Sequence, residues 1–254
     1  MSMQPTKKLA IVILAAGQGT RMNNPAKAKV LYALHGFPMI DYVVERAMEL
    51  APMKVPVIVG YKRELVIEHL RERFANCNIE FAVQEPQLGT GHAVMQAEKN
   101  LHDFIGDVLI LYGDVPLLTA KTLTMLVTTH AETHATATVL TAVVDDSTGY
   151  GRIIRSADGG VERIVEHKDA TDKELTIKEI NSGIYVFDKE QLFDALKNLS
   201  PSNAQGEYYL TDVIAIFHDK GMKIAAVTVE HPFEVIGINT TNQLKEAENK
   251  LEQR

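Results

Sequence analysis

Short, continuous apolar runs recur along the first half of the chain, and each one ends in turn-forming residues. Four are long enough to be strands: Leu9 to Leu14, Val55 to Val59, Ile79 to Val83 and Val108 to Leu111. Continuous rather than alternating hydrophobicity indicates strands that are buried on both faces, as in a parallel sheet. Because parallel strands need crossover segments between them, the runs predict βαβ units.

Segments with helical periodicity lie between these runs. Two apolar stripes stand out, one of Ile40, Val43, Val44, Ala47 and Met48, the other of Leu65, Ile67, Leu70 and Phe74. The sequence also predicts a helix after Thr119 and a β-branched strand over Thr136 to Val144. Strand–helix alternation of this kind predicts an α/β fold with a mostly parallel, doubly wound sheet.

The pattern changes between Asp145 and about Tyr185. Short strand-like pieces follow one another here, at Arg152 to Arg155, Val161 to Val165 and Ile180 to Phe187. They are separated by polar turns, and Asp158-Gly159-Gly160 is typical of a hairpin turn. We interpret this region as a smaller antiparallel lobe that is appended to the parallel core.

The remaining chain returns to strand–helix alternation. It predicts helices from Lys189 and over about Tyr209 to His218, strands over Lys223 to Val229 and Val235 to Ile238, and a polar helix from Thr241. Neither a Gly/Ser/Pro-rich linker nor a repeat of fixed period divides the sequence. We therefore expect one α/β domain over residues 1–254.

Composition and charge restrict the class of protein. The 254 residues are 46% hydrophobic and 23% charged, which is typical of a globular domain. The single cysteine, Cys77, excludes a disulfide framework and any multi-cysteine zinc site. The net charge of −7 argues against a nucleic-acid partner, and no apolar run reaches the roughly 18 residues of a membrane span. We expect a cytoplasmic protein with no membrane partner, in which the segment after Lys7-Lys8 is a buried strand rather than a signal peptide.

A glycine-rich turn follows the first strand directly, within LAAGQGTRM (Leu14 to Met22). Ligands of open α/β sheets bind beyond the carboxyl ends of the strands, where the N–H groups of such a turn can approach phosphate oxygens. Met22 stands where a dinucleotide fingerprint has its third glycine, and the ending of a P-loop is absent. Arg21, followed by Lys27 and Lys29, suits a polyphosphate that loses pyrophosphate. A plain turn with solvated cations is the alternative.

A second motif, QEPQLGTGHA from Gln84 to Ala93, follows the third strand. The amide of Gln84 can donate and accept hydrogen bonds at once, as recognition of a base edge requires. Gly89 and Thr90 can open a helix and offer backbone amides. A capped helix start without a ligand gives the same pattern.

A third motif, LILYGDVP from Leu109 to Pro116, places Asp114 at the end of a buried apolar strand. A carboxylate at such a place is costly unless it has a partner. A divalent cation is one such partner, because Mg²⁺ takes one or two carboxylates together with substrate phosphates. An aspartate that caps the following turn is the alternative.

Seven segments carry a resemblance to a known family: LAAGQGTRM, QEPQLGTGHA, LYGDVPLL, TGYGRI, IVEHKDAT, EINSGIY and NAQGEYYLTD, in that order. Together they resemble the uridylyltransferase half of the bifunctional bacterial enzymes that make UDP-N-acetylglucosamine, within the nucleotidyltransferase family. The resemblance implies a Rossmann-like nucleotidyltransferase fold. It also implies Mg²⁺-dependent uridylyl transfer from UTP to N-acetylglucosamine 1-phosphate, giving UDP-N-acetylglucosamine and pyrophosphate for cell-envelope precursors. Another sugar 1-phosphate, such as that of glucose or galactose, or another pyrimidine nucleotide is the alternative.

The same resemblance implies roles for individual residues. Contacts to the nucleotide are implied for Leu14, Ala15, Ala16, Gly17, Gln84, Gly89 and Thr90. Contacts to the sugar are implied for Tyr112, Gly113, Gly151, Glu166 and Asn181. Arg21 and Lys29 are the implied catalytic residues at the phosphates, and Asp114 and Asn239 are the implied metal ligands.

Two departures from the family pattern lie near the first motif. Gln18 stands where the family usually has a lysine. The family's Pro-Lys-Val-Leu stretch is longer here, from Pro25 to Leu31, and contains both Lys27 and Lys29. We assign the phosphate-binding role to Lys29 because Val30 and Leu31 follow it.

The resemblance also divides the domain. It implies a nucleotide-binding part over about residues 1–144, a sugar-binding part over about 145–240 and a C-terminal helix over 241–254. The hexapeptide repeats of the relatives' second, acetyltransferase half do not occur in this sequence. We therefore expect neither acetyl transfer nor the trimer that this half builds, but a monomer or a weak homo-oligomer. A catalytically silent nucleotide-sugar-binding subunit is the alternative of a different class.

Overall fold

The computed structural model describes residues 8–22 and 26–252. Its strands are β1 (Leu9–Ala15), β2 (Ala33–Leu34), β3 (Phe37–Pro38), β4 (Val55–Val59), β5 (Ile79–Val83), β6 (Asp107–Tyr112), β7 (Ala137–Val143), β8 (Arg152–Arg155), β9 (Val161–Val165), β10 (Glu179–Asp188) and β11 (Ile224–Thr228). Its α-helices are α1 (Met39–Glu49), α2 (Arg63–Arg73), α3 (Thr90–Met95), α4 (Ala120–Thr133), α5 (Asp172–Leu175), α6 (Lys189–Leu196), α7 (Asp212–Asp219) and α8 (Thr241–Glu252). Lys7, Pro25 and the last two residues of the predicted C-terminal helix lie outside the described residues.

One nine-stranded sheet organises the molecule, with the strand order β11-β7-β10-β6-β1-β4-β5. Strands β5, β4, β1 and β6 run parallel to one another, as do β11 and β7, whereas β10 runs antiparallel to both β6 and β7. The fold is therefore the expected α/β class with a mostly parallel sheet. The antiparallel region is joined to that sheet, because β8 pairs with both β10 and β9.

Helices cover both faces of the sheet, which explains the continuous apolar runs. In β1, Ile11 and Ile13 face a core that includes residues of α1, α2 and α4, while Ala10 and Val12 face a core that includes residues of α3, α6 and α7. All four side chains are fully buried. Successive residues of a strand point to opposite faces, so a strand covered on both sides must be apolar at every position.

Two predictions of local structure are wrong. On α2, the side chain of Val66 is buried, whereas the predicted stripe residue Leu65 is 42% exposed, so the inward face runs through Val66 and Leu70. The predicted strand over Val235 to Ile238 does not form. A 3₁₀ turn over Pro232–Val235 ends at the first residue of the predicted strand, and no strand pairing is formed by the residues that follow it up to Ile238. Val235 and Ile238 are apolar because they are buried, not because they lie in a sheet.

No helix among the described residues is long and apolar enough to cross a membrane.

Candidate active site

A cavity of about 360 Å³ opens at the carboxyl ends of the central parallel strands. Leu14 at the end of β1 pairs with Tyr112 at the end of β6 and with Ile58 of β4, so the loops that follow these strands meet at one edge. Most of the predicted site residues line this cavity: Leu14, Ala15, Ala16, Gly17, Lys29, Gln84, Gly89, Thr90, Tyr112, Asp114 and Asn239. The sheet topology therefore brings the three sequence motifs together.

Val30, Gln87, Ala93 and Glu207 also line the cavity, although they were not predicted as site residues. Gln87 and Ala93 belong to the second motif, and Glu207 belongs to the segment NAQGEYYLTD, so the signal for these three was present in the motifs. Val30 follows Lys29 and packs against Gly113, since a Cβ on Gly113 would lie 3.0 Å from the Cγ1 of Val30. The predicted residue Gly113 thus packs beneath the cavity, and its N–H donates to the carbonyl of Leu14 over 2.9 Å.

The glycine-rich turn is shaped to bring Lys29 into the site. Gly19 has a φ of +63°, in the left-handed region that favours glycine. A Cβ on Gly19 would lie 2.5 Å from the Cβ of Lys29, so a side chain there would push the lysine away. A 3₁₀ turn over Thr20–Met22 follows and carries Arg21.

A cluster of charged and amide groups lies at the end of β6. The Lys29 ammonium makes an ion pair with Asp114 Oδ2 and donates a hydrogen bond of 3.0 Å to Asn239 Oδ1. Arg21 Nη2 donates to the same Asn239 oxygen, also over 3.0 Å. The Nζ of Lys27, by contrast, lies 5.1 Å from the centroid of the Tyr32 ring. Lys29, and not Lys27, therefore reaches the predicted metal ligands.

The donor set at this cluster fits a hard divalent cation. Asp114 Oδ2 and Asn239 Oδ1 both accept from one Lys29 nitrogen, so the two oxygens converge on a single positively charged group. Carboxylate and amide oxygens are ligands that Mg²⁺ accepts, with substrate phosphates and water in the other positions. No group of three His, Cys, Asp or Glu residues that could hold a metal occurs in the described part of the chain. An ion at this place would depend on these two protein oxygens.

The loop after β5 forms another wall of the cavity. The Gln84 amide nitrogen donates to the carbonyl of Gly89 over 2.9 Å, so the two ends of the loop are hydrogen-bonded to each other. Gly89 has a φ of +106°, and a Cβ there would lie 2.6 Å from the carbonyl oxygen of Tyr208. Glycine is therefore required at position 89. The N–H of Gly91 donates to that same carbonyl, which ties the start of α3 to the segment before α7.

The predicted sugar residues Gly151, Glu166 and Asn181 gather beside one another rather than in the lining of the main cavity. A Cβ on Gly151 would lie 3.5 Å from Glu166 Oε2 and 3.6 Å from the Asn181 Cβ. The N–H of Asn181 donates to the carbonyl of Gly151 over 2.9 Å. Glu166 Oε1 accepts from the Thr211 hydroxyl over 3.2 Å.

Burial controls the protonation of this neighbouring group. Desolvation raises the pKa of the Glu166 carboxyl, and the nearby acids Asp212 and Asp169 raise it further. Desolvation also raises the pKa of the Tyr112 phenol, which stays protonated at neutral pH. The Glu166 carboxyl can therefore accept hydrogen bonds, and its charge depends on pH. The Tyr112 phenol keeps a proton that it can donate.

Comparisons with known proteins identify the family of this chain. The family described as Nucleotidyl transferase matches residues 10–250. The chain is 48% identical over 239 residues to the Bifunctional protein GlmU of Acetivibrio thermocellus, covering 94% of this chain and 50% of that protein. It is 50% identical over 243 residues to the protein of the same name from Exiguobacterium sibiricum, covering 96% and 53%. The chain spans about half the length of these curated relatives.

A solved structure, that of UDP-glucose pyrophosphorylase complexed with UDP-glucose, has a similar fold. Its TM-score is 0.77 at 19% identity, and the match covers 97% of this chain and 99% of that one. At this identity the likeness shows the fold alone.

Proposed function

The chain belongs to the nucleotidyl transferase family, and from this premise we propose that it transfers the uridylyl group of UTP to N-acetylglucosamine 1-phosphate. The products are UDP-N-acetylglucosamine, a precursor of the cell envelope, and pyrophosphate. The observation that carries the proposal is the Lys29–Asp114–Asn239 cluster at the end of β6, in a cavity that Gln84 also lines. The relatives named GlmU support the choice of this activity.

The residues of the cluster act by position and charge. An ionised oxygen of the sugar phosphate attacks the α-phosphorus of UTP in line, and the bond to pyrophosphate breaks. Because the nucleophile is already ionised, no general base is needed. The Lys29 ammonium and the Arg21 guanidinium stabilise the charge that develops on the leaving pyrophosphate.

Asp114 and Asn239 are the residues that hold the cation in this proposal. The nucleotidyl transferase family generally uses a divalent metal, and Mg²⁺ is the ion that the carboxylate–amide pair favours. When bound, Mg²⁺ neutralises phosphate oxygens and so reduces the repulsion between the two substrates. The Lys29 ammonium contacts the same two oxygens in the structure. In the proposed reaction its side chain turns from them toward a phosphate.

The main cavity and the neighbouring group of Gly151, Glu166 and Asn181 are the two ends of the site, and they divide substrate recognition between them. The loop of Gln84, Gly89 and Thr90 contacts the base, and the backbone of Leu14 to Gly17 lies against the nucleotide. Glu166 accepts hydrogen bonds from sugar hydroxyls, and Asn181 holds Gly151 in place beside it. On this basis residues 1–144 bind mainly the nucleotide and residues 145–240 mainly the sugar.

Partners and location follow from the same proposal. The substrates are small molecules, and the net charge of −7 opposes a nucleic-acid partner. A protein with one cysteine suits a reducing compartment such as the cytoplasm. We expect the described domain to be a monomer or a weak homo-oligomer, which sedimentation can decide.

Pyrophosphate release tests the function. The purified protein is assayed with UTP, CTP and ATP against the 1-phosphates of N-acetylglucosamine, glucose and galactose, with Mg²⁺ and with EDTA. We expect turnover only with Mg²⁺ and fastest turnover with UTP and N-acetylglucosamine 1-phosphate. A preference for glucose 1-phosphate would refute the proposed substrate, and no turnover with any pair would refute the proposed enzyme.

A further inference from the structure

The orientation of the Gln84 amide is fixed by the protein before any ligand binds. Gln84 lines the cavity but is only 4% exposed. Its Nε2 lies 2.9 Å from the carbonyl oxygen of Gly89. Since a carbonyl oxygen can only accept, the amide nitrogen and not the amide oxygen must face it. The chemistry of the partner therefore settles which way the amide points.

A histidine outside the cavity adds a second constraint on the same nitrogen. The Nδ1 of His92, in the first turns of α3, lies 3.3 Å from Gln84 Nε2. With Gly89 it accounts for both hydrogens of the amide group, provided that Nδ1 carries no proton. Burial lowers the pKa of His92, which favours the neutral ring that this contact needs.

The opposite atom of the amide is left for a ligand. Within residues 8–22 and 26–252, Gln84 Oε1 accepts no hydrogen bond and the N–H of Gly89 donates none. The loop thus offers one acceptor and one donor at one wall of the cavity. Uracil complements this pair, because its N3–H donates and its O4 accepts. Cytosine has the opposite pattern at the two corresponding positions, since its N3 accepts and its N4 amino group donates.

We propose that His92 is a positioning residue that sets the base preference of this site, by holding the Gln84 amide with its oxygen toward the base. This inference rests on the proposed function, in which Gln84 contacts the base. To accommodate cytosine the amide must rotate by half a turn, which loses the hydrogen bonds to both Gly89 and His92 and turns an oxygen toward two acceptors. Without the His92 acceptor the same rotation loses only one of these bonds.

Substitutions at His92 separate this role from simple packing. His92→Leu keeps the bulk and removes the acceptor, whereas the Oδ1 of His92→Asn can occupy the place of Nδ1. A second cavity, which we call the outer cavity, is lined by His92, Met95, Glu98, Lys197 and Tyr208 among others. Met95→Ala is the matched control, because Met95 lies on the same helix as His92 and lines this outer cavity without a hydrogen bond to Gln84. Each variant is measured for kcat/KM with UTP and CTP, and for the two dissociation constants by calorimetry.

We expect the original protein to prefer UTP over CTP by about 100-fold or more. His92→Leu lowers this preference by about fivefold to tenfold through KM, the worth of one hydrogen bond, with kcat little changed. His92→Asn and Met95→Ala keep it. An unchanged preference in His92→Leu, an equal loss in His92→Asn, or a loss in Met95→Ala would overturn the role of His92.

Protonation provides a test that needs no variant, in case His92→Leu does not fold. A protonated Nδ1 cannot accept from Gln84, so the calorimetric preference for UTP over CTP falls as the pH is lowered from 7.5 through the pKa of His92, which an NMR titration of the ring locates. The groups that face His92 are Gln84, the Tyr208 ring and, across the outer cavity, Glu98 and Lys197. A preference that stays constant over this range would overturn the inference. Because the calorimetric ratio needs no turnover, it decides the role of His92 even if the assay of the proposed function fails.

Discussion

The two ends of the site hold their carboxylates in opposite ways. At the phosphate end, Asp114 is paired with Lys29 and flanked by Asn239, and the side chains of Asp114 and Lys29 are only 14% and 13% exposed. At the sugar end, Glu166 has the hydroxyl of Thr211 as its donor, and its charged neighbours are other acids. The charge of Asp114 is thus neutralised before a ligand binds, whereas that of Glu166 is not.

This difference matches what each end binds in the proposed function. A site for phosphates needs cations that can be shared between protein oxygens and ligand oxygens, which the Lys29 ion pair provides. A site for neutral hydroxyl groups needs a strong acceptor that no cation already occupies. The cost of a desolvated, unpaired carboxylate at Glu166 is then offset only when sugar hydroxyls donate to it. Four predictions test this contrast, from the largest expected effect to the smallest.

Lys29→Met removes the cation from the phosphate end. We expect kcat to fall about 100-fold, because an oriented donor to the leaving pyrophosphate is lost. Lys27→Met is the matched control, since the Lys27 ammonium lies over the Tyr32 ring, and it should change kcat less than about twofold. Steady-state pyrophosphate release measures both. Equal losses in the two variants would refute the assignment of Lys29.

Asp114→Asn removes the negative charge of the same cluster. Turnover should fall at least about tenfold, which corresponds to about 1.4 kcal/mol in the barrier. The Mg²⁺ concentration for half-maximal activity should rise as well, because an amide is a weaker ligand than a carboxylate. Asp219→Asn, at an 83% exposed side chain, serves as the control. Unchanged activity and an unchanged Mg²⁺ response would exclude Asp114 as a ligand.

Glu166→Gln removes the unpaired charge of the sugar end. We expect KM for the sugar 1-phosphate to rise about tenfold, the value of a hydrogen bond to a charged acceptor, while KM for UTP stays the same. A parallel rise of both KM values would show that Glu166 supports the whole site rather than the sugar.

The same variant should be more stable than the original protein at neutral pH. Burial raises the pKa of Glu166 above its ordinary 4.5, so the folded state binds this proton more tightly than the unfolded state. The favourable contribution of the protonated form is complete below pH 4.5 and is lost as the pH rises through the raised pKa. Melting temperatures of Glu166→Gln should therefore exceed those of the original at pH 7.5 and converge with them near pH 4. A difference that does not depend on pH would contradict this explanation.

Local hydrophobic patterns predicted much of the fold, and their failures are instructive. The bounds of β4, β5, β8 and β9 agree with the predicted strands. In β4 every residue is buried, because both faces of the strand are covered. The short strands β8 and β9 are delimited by the polar turns on either side of them. The prediction that Leu65 faces the core was wrong, because on a mostly charged helix a shift of one residue moves the apolar face by about 100°. The strand predicted over Val235 to Ile238 was wrong for a different reason. A buried segment is apolar whether or not a strand lies beside it, so composition alone does not distinguish the two cases.

The sequence by itself determined the α/β class, the motifs at the strand ends and the kinds of side chain that the site would contain. These are properties of short segments, since propensity, periodicity and turn chemistry act over a few residues. Only the tertiary structure decided that Lys29 rather than Lys27 meets Asp114, that His92 holds Gln84, and that β10 lies between β6 and β7. Arg21 and Asn239 are hydrogen-bonded across a separation of 218 residues. Contacts of that kind depend on the path of the whole chain through the sheet, which no local pattern encodes.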